Sequence, residues 1–78
     1  MNDLRDGRFY RNFGRIAPNR DVFRIALCNR FGDPLVYYRA YWWPKRGIYK
    51  CYPESVAVPG DYDFDVFTMG MHDERLRR

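Results

Sequence analysis

Between Asp21 and Arg30 the apolar residues Phe23, Ile25 and Leu27 alternate with Arg24, Ala26 and Cys28, the two-residue period of a strand with one buried side. A helix capped by Asp21 and stopped at Gly32, with Pro34 beyond it, competes for the same residues. On a helical wheel Arg24, Asn29 and Arg30 scatter instead of sharing a face, so the strand is preferred. The next stretch, LVYYRAYWWPKRGIYKCY from Leu35 to Tyr52, reads as strand, turn and strand. Residues that suit a pleated surface flank Pro44-Lys45-Arg46-Gly47, where Pro and Gly are placed to reverse the chain.

If Phe31-Gly32-Asp33-Pro34 is a hairpin loop, Arg30 faces Leu35, Cys28 faces Tyr37, Ala26 faces Arg39 and Arg24 faces Tyr41. That register gathers Phe23, Ile25, Leu27, Val36, Tyr38, Ala40, Trp42, Tyr49 and Cys51 on a core side. Arg24, Arg30, Tyr37, Arg39, Tyr41, Trp43, Ile48, Lys50 and Tyr52 fall on the other. A slip of one residue would exchange the faces of a strand, so the assignment depends on the loops.

The flanks are less regular. In residues 1–20 Phe9, Phe13 and Ile16 have helical spacing, with arginines roughly opposite, but Gly7 and Gly14 each weaken a helix by about 1 kcal/mol relative to Ala. A basic arm or a short helix is expected there. After Tyr52, Pro53-Glu54-Ser55 interrupts, Val56–Val58 reads as a short strand, and Pro59-Gly60-Asp61 turns the chain. Tyr62, Phe64 and Val66 then alternate with Asp63 and Asp65 as a last strand. Residues 72–78 read as a frayed tail. The expected fold is mainly β, or α+β if the amino-terminal helix forms: one domain over 1–78, with a small antiparallel meander of three to four strands.

Composition sharpens this picture in three ways. Six Phe, seven Tyr and two Trp make 19 % of 78 residues aromatic, more than so small a core needs, so several rings are expected on the surface. The net charge of +4 is uneven: residues 1–30 carry +4, 31–52 carry +3 and 53–78 carry −3. Twelve of the 14 basic residues are Arg, whose planar fork suits carboxylates, phosphates and aromatic faces. Codon bias alone would give the same excess.

The outer side of the hairpins is therefore a basic and aromatic sheet face, with Arg24, Tyr37, Arg39, Tyr41, Trp43, Lys50 and Tyr52 as candidate partner-binding residues. Tyr, Trp and Arg dominate protein interfaces as buried anchors. The same residues could stack the bases and hold the phosphates of single-stranded RNA or DNA, although no RNP-type motif, KH loop or zinc-finger spacing is present. In the blandest alternative an arm or helix simply covers the face. Asp61, Asp63 and Asp65 would form an acidic row along the last strand, solvated or offered to an Arg-rich partner. An EF-hand is excluded, because Val66 and His72 stand where its Gly and Glu belong.

Candidate catalytic chemistry is sparse. His72, Ser55 and Thr68 have no partner at a revealing spacing, and Cys28 and Cys51 project to opposite faces, too far apart in orientation for a disulfide. No CxxC or Cys/His pattern suggests a metal, no cofactor motif is visible, and no apolar run is long enough to span a membrane. The expectation is a cytoplasmic, non-enzymatic protein-binding module of the inhibitor or adaptor kind. Such proteins include phage-borne inhibitors of host nucleic-acid machines, an analogy from size and charge. Binding of single-stranded nucleic acid is the alternative.

Overall fold

The computed structural model describes residues 7–77. Residues 1–6 of the expected basic arm, and Arg78, lie outside them. Six strands form one sheet: β1 (Phe9–Arg15), β2 (Val22–Cys28), β3 (Pro34–Trp43), β4 (Ile48–Val56), β5 (Phe67–Gly70) and β6 (Leu76–Arg77). Their order is β5-β4-β3-β2-β1-β6. The first five make an antiparallel meander, and β6 returns to pair parallel with β1 through Tyr10↔Leu76 and Arg11↔Arg77. The protein is mainly β, but the sheet is larger than three to four strands and mixed, and no α-helix occurs among the described residues.

The two flanks account for the extra strands. Phe9, Phe13 and Ile16 have helical spacing, but a strand that sends Tyr10 and Asn12 inward and Phe9, Arg11 and Phe13 outward buries Tyr10 completely. Gly14 (φ 103°) absorbs the irregularity between Asn12 and Arg15, and its N–H donates to Asn12 Oδ1 at 2.8 Å. At the other end, the tail expected to fray supplies β6.

The sheet is strongly curled. Neighbouring strands lie about 4.8 Å apart, so in a flat sheet β1 and β5 would be separated by roughly 19 Å. Instead the rings of Tyr10 and Phe67 meet at 5.0 Å, and each also packs against Tyr38. The inner side holds the core: Tyr10, Ile25, Leu27, Leu35, Val36, Tyr38, Ala40, Tyr49, Cys51 and Met69, with Phe23 and Trp42 packed against it.

The central hairpins keep their expected faces with one register corrected. Arg24 pairs with Arg39 and Ala26 with Tyr37, two residues away from the expected alignment. The turn begins early, because Asn29 Oδ1 accepts from the backbone N–H groups of Phe31 and Asp33 at 2.9 and 3.0 Å. A bulge near Leu27 then resets the pairing. An even shift leaves every side chain on its face. The Pro44–Gly47 turn is as expected, closed by the Gly47 N–H on the Trp43 carbonyl at 2.9 Å, with Gly47 at φ 65°.

Beyond Tyr52 the expectations fail. β4 continues through Pro53, because β5 pairs only with Ile48–Cys51 and Pro53 lies where no second neighbour needs its missing N–H. Glu54 is the extra residue of a bulge between Tyr38↔Pro53 and Tyr37↔Ser55. Residues 57–66 are irregular, not two short strands. Side chains hold this segment in place of a ladder: Tyr62 packs on the core and donates to the Val58 carbonyl at 2.7 Å, and the Tyr38 hydroxyl donates to the Asp63 carbonyl at 3.2 Å.

Candidate binding face

On the outer side, Arg24 of β2 sits directly across from Arg39 of β3. Like charges at such positions repel. The β4 bulge turns Glu54 toward both, with Oε1 3.2 Å from Arg24 Nη2 and Oε2 2.8 Å from Arg39 Nη2. The pairs are solvent-exposed, so they order the arginines more than they stabilise the fold.

Around this triad the rings are paired with cations. Tyr41 and Tyr52 meet edge to face, 5.6 Å apart at 88°. Lys50 Nζ lies over both Trp43 (5.4 Å) and Tyr52 (5.7 Å), and Arg46 also lies over Trp43 (5.9 Å). Arg24 lies over Tyr37 at 5.6 Å. Arg39, Tyr41, Trp43, Tyr52, Pro53 and Glu54 line a shallow open groove of about 600 Å³. A smaller depression continues it across Arg39 and Tyr41 to Ile16, Ala17, Arg20 and Val22.

All seven candidate partner-binding residues thus share one face, with Trp43 41 % and Tyr52 39 % exposed. Arg30, assigned to this face from the sequence, instead lies in the Asn29–Asp33 turn over the ring of Phe31. Glu54 and Pro53 were missed because Pro-Glu-Ser reads as a break. Phe13 and Arg11 were missed with β1, although Arg11 stacks on Phe13 and Phe13 approaches Tyr37 at 6.5 Å.

Asp61, Asp63 and Asp65 are exposed but form no strand row. They lie on the irregular segment that packs against the core side, opposite the groove. Among the described residues none of the three is in an ion pair.

The cysteines face opposite sides and are free. Burial pushes the Cys28 thiol up to about 11 and the Cys51 thiol up to about 12, so neither is a thiolate nucleophile at neutral pH. His72 borders a small depression with Asn12, Tyr49, Met71 and Leu76. Among the described residues no group of three His, Cys, Asp or Glu side chains could hold a metal ion, and no helix is long and apolar enough to cross a membrane. The chain matches no known protein-family model, no curated protein and no solved structure.

Proposed function

We propose that this chain is a non-enzymatic protein-binding module of the inhibitor or adaptor kind, which takes an acidic protein surface onto its outer face. One observation carries the choice over nucleic acid. The ring faces of Tyr37, Trp43 and Tyr52, on which bases would have to stack, are already covered by Arg24, Lys50 and Arg46. A base must displace these cations. A carboxylate can instead approach them from solvent, meeting donors already ordered over the rings.

The test is capture of partners from a lysate by the wild type and by a Tyr41→Ala, Trp43→Ala double variant whose fold is verified by circular dichroism. Anchors of this type contribute about 2 kcal/mol or more each, so the variant should lose a specific partner. A folded variant that keeps every partner removes the proposed face. Binding to mixed-sequence single strands that weakens log-linearly with salt would favour nucleic acid instead.

A further inference from the structure

We infer that the outer face also receives residues 61–66 of a second copy of this chain, so that copies associate head to tail. The inference rests on the reading above, that the face takes an acidic protein surface, and names one surface of that chemistry. Residues 61–66, DYDFDV, alternate carboxylates with apolar side chains. Asp61, Asp63 and Asp65 are exposed, and Phe64 (46 %) and Val66 (49 %) are large apolar groups left in water. The groove offers the complement: Arg39 and Lys50 beside Tyr41, Trp43 and Tyr52.

The two surfaces cannot meet within one molecule. Residues 61–66 are tied to the core side through Tyr62 and the Tyr38–Asp63 hydrogen bond, whereas the groove lies on the other side of the same sheet. The carboxylates of Asp61, Asp63 and Asp65 can therefore meet the cations of the groove only between molecules. Two different patches meet in such a contact, so each added copy exposes a fresh groove at one end and a fresh acidic segment at the other. The product is a ring or an open chain rather than a closed dimer.

Light scattering coupled to size exclusion tests this over roughly a hundredfold range of concentration. The average mass should climb with concentration at low salt and fall to that of the monomer as salt screens the contact. Two variants separate the surfaces: Asp61→Asn with Asp63→Asn and Asp65→Asn, and Arg39→Gln with Lys50→Gln. Arg39 and the three aspartates are exposed and Lys50 is half-buried on the outer face, outside the core cluster, so both should fold. Each variant alone should stay monomeric, and a mixture should give a capped heterodimer, the first supplying the groove and the second the acidic segment. A wild type that remains monomeric throughout, variants that still self-associate alone, or a mixture without heterodimers each overturns the inference. The proposed function is judged separately. If the groove variant loses its lysate partner while the wild type is monomeric, that reading stands and self-association does not.

Discussion

Tyr10 and Phe67 touch across the interior, with ring centroids 5.0 Å apart, although β2, β3 and β4 separate their strands in the sheet. This contact closes the curl. Tyr38, at the middle of the sheet, meets Tyr10 at 6.0 Å and Phe67 at 5.0 Å, so three rings fill the space that a helix would cover in a flat sheet.

Phe67→Ala should therefore destabilise the whole domain. Full truncation of a buried Phe costs about 3–5 kcal/mol, and the part-buried Phe67 should cost about 3. That is a large share of what a chain of this size has, on the order of 4–12 kcal/mol. Urea unfolding followed by tryptophan fluorescence checks it. A midpoint unchanged by the substitution would mean that β5 contributes nothing to closure.

Two of the core tyrosines, Tyr10 and Tyr38, should respond differently to loss of their hydroxyls. Tyr10 is fully buried, its hydroxyl has no hydrogen-bond partner among the described residues, and burial raises its pKa. Tyr10→Phe removes an unsatisfied polar atom and should be neutral or stabilising. The Tyr38 hydroxyl, pushed up to about 12 by burial, donates to the Asp63 carbonyl. Tyr38→Phe should cost about 0.5–1.5 kcal/mol and loosen residues 57–66. Paired urea titrations read the contrast, and equal losses in both variants would refute it.

The sequence was most informative where a two-residue period ran through residues with one buried side. From Phe23 to Cys51 it placed the inner and outer side chains of the central hairpins, except for Arg30 and for Leu35, which the bulge near Leu27 brings into the core, and a two-residue error in register did no harm to the rest. It was least informative where strands depend on distant partners. β1 carries apolar residues on both faces, Phe9 and Phe13 outward and Tyr10 inward, so its period is blurred. β6 has two residues and exists because β1 is beside it. Conversely, Tyr62 to Val66 alternates well yet forms no strand, because the Tyr62 ring and the Asp63 carbonyl are bound to the core side instead. Glu54 was hidden by the prolines and turn formers around it, which signal a break whether the chain ends a strand or only bulges.

Replacing Glu54 by Gln tests its place between the two arginines. Exposed pairs are worth about 0–1 kcal/mol, so stability should change by no more than that. Binding should change more. With its internal carboxylate gone, the Arg24–Arg39 pair should hold an acidic partner more tightly, by severalfold, with a steeper dependence on salt. Titration calorimetry against the captured partner measures both, and weaker binding would show that Glu54 itself contacts the partner.

The last strand should detach in acid. Asp73 accepts from Arg75 three times: from Nε at 2.9 Å, from Nη2 at 2.8 Å and from the backbone N–H at 2.9 Å. The side-chain bonds to Arg75 hold its carboxyl below the usual aspartate value. This turn sets up the bond from the Tyr10 N–H to the Arg75 carbonyl, 2.7 Å, where β6 begins. A carboxyl with a lowered folded pKa stabilises above its unfolded value, about 3.9, and loses that contribution as pH falls through the folded one. With the intrinsic pH dependence of exchange divided out, amide protection at Tyr10 and Leu76 should therefore fall on acidification through that window ahead of protection in β3. Asp73→Asn should show the faster exchange already at neutral pH and little further change in acid, beyond the intrinsic pH dependence of exchange. If the variant matches the wild type at neutral pH, Asp73 does not hold β6, and its low pKa is a local matter of the turn.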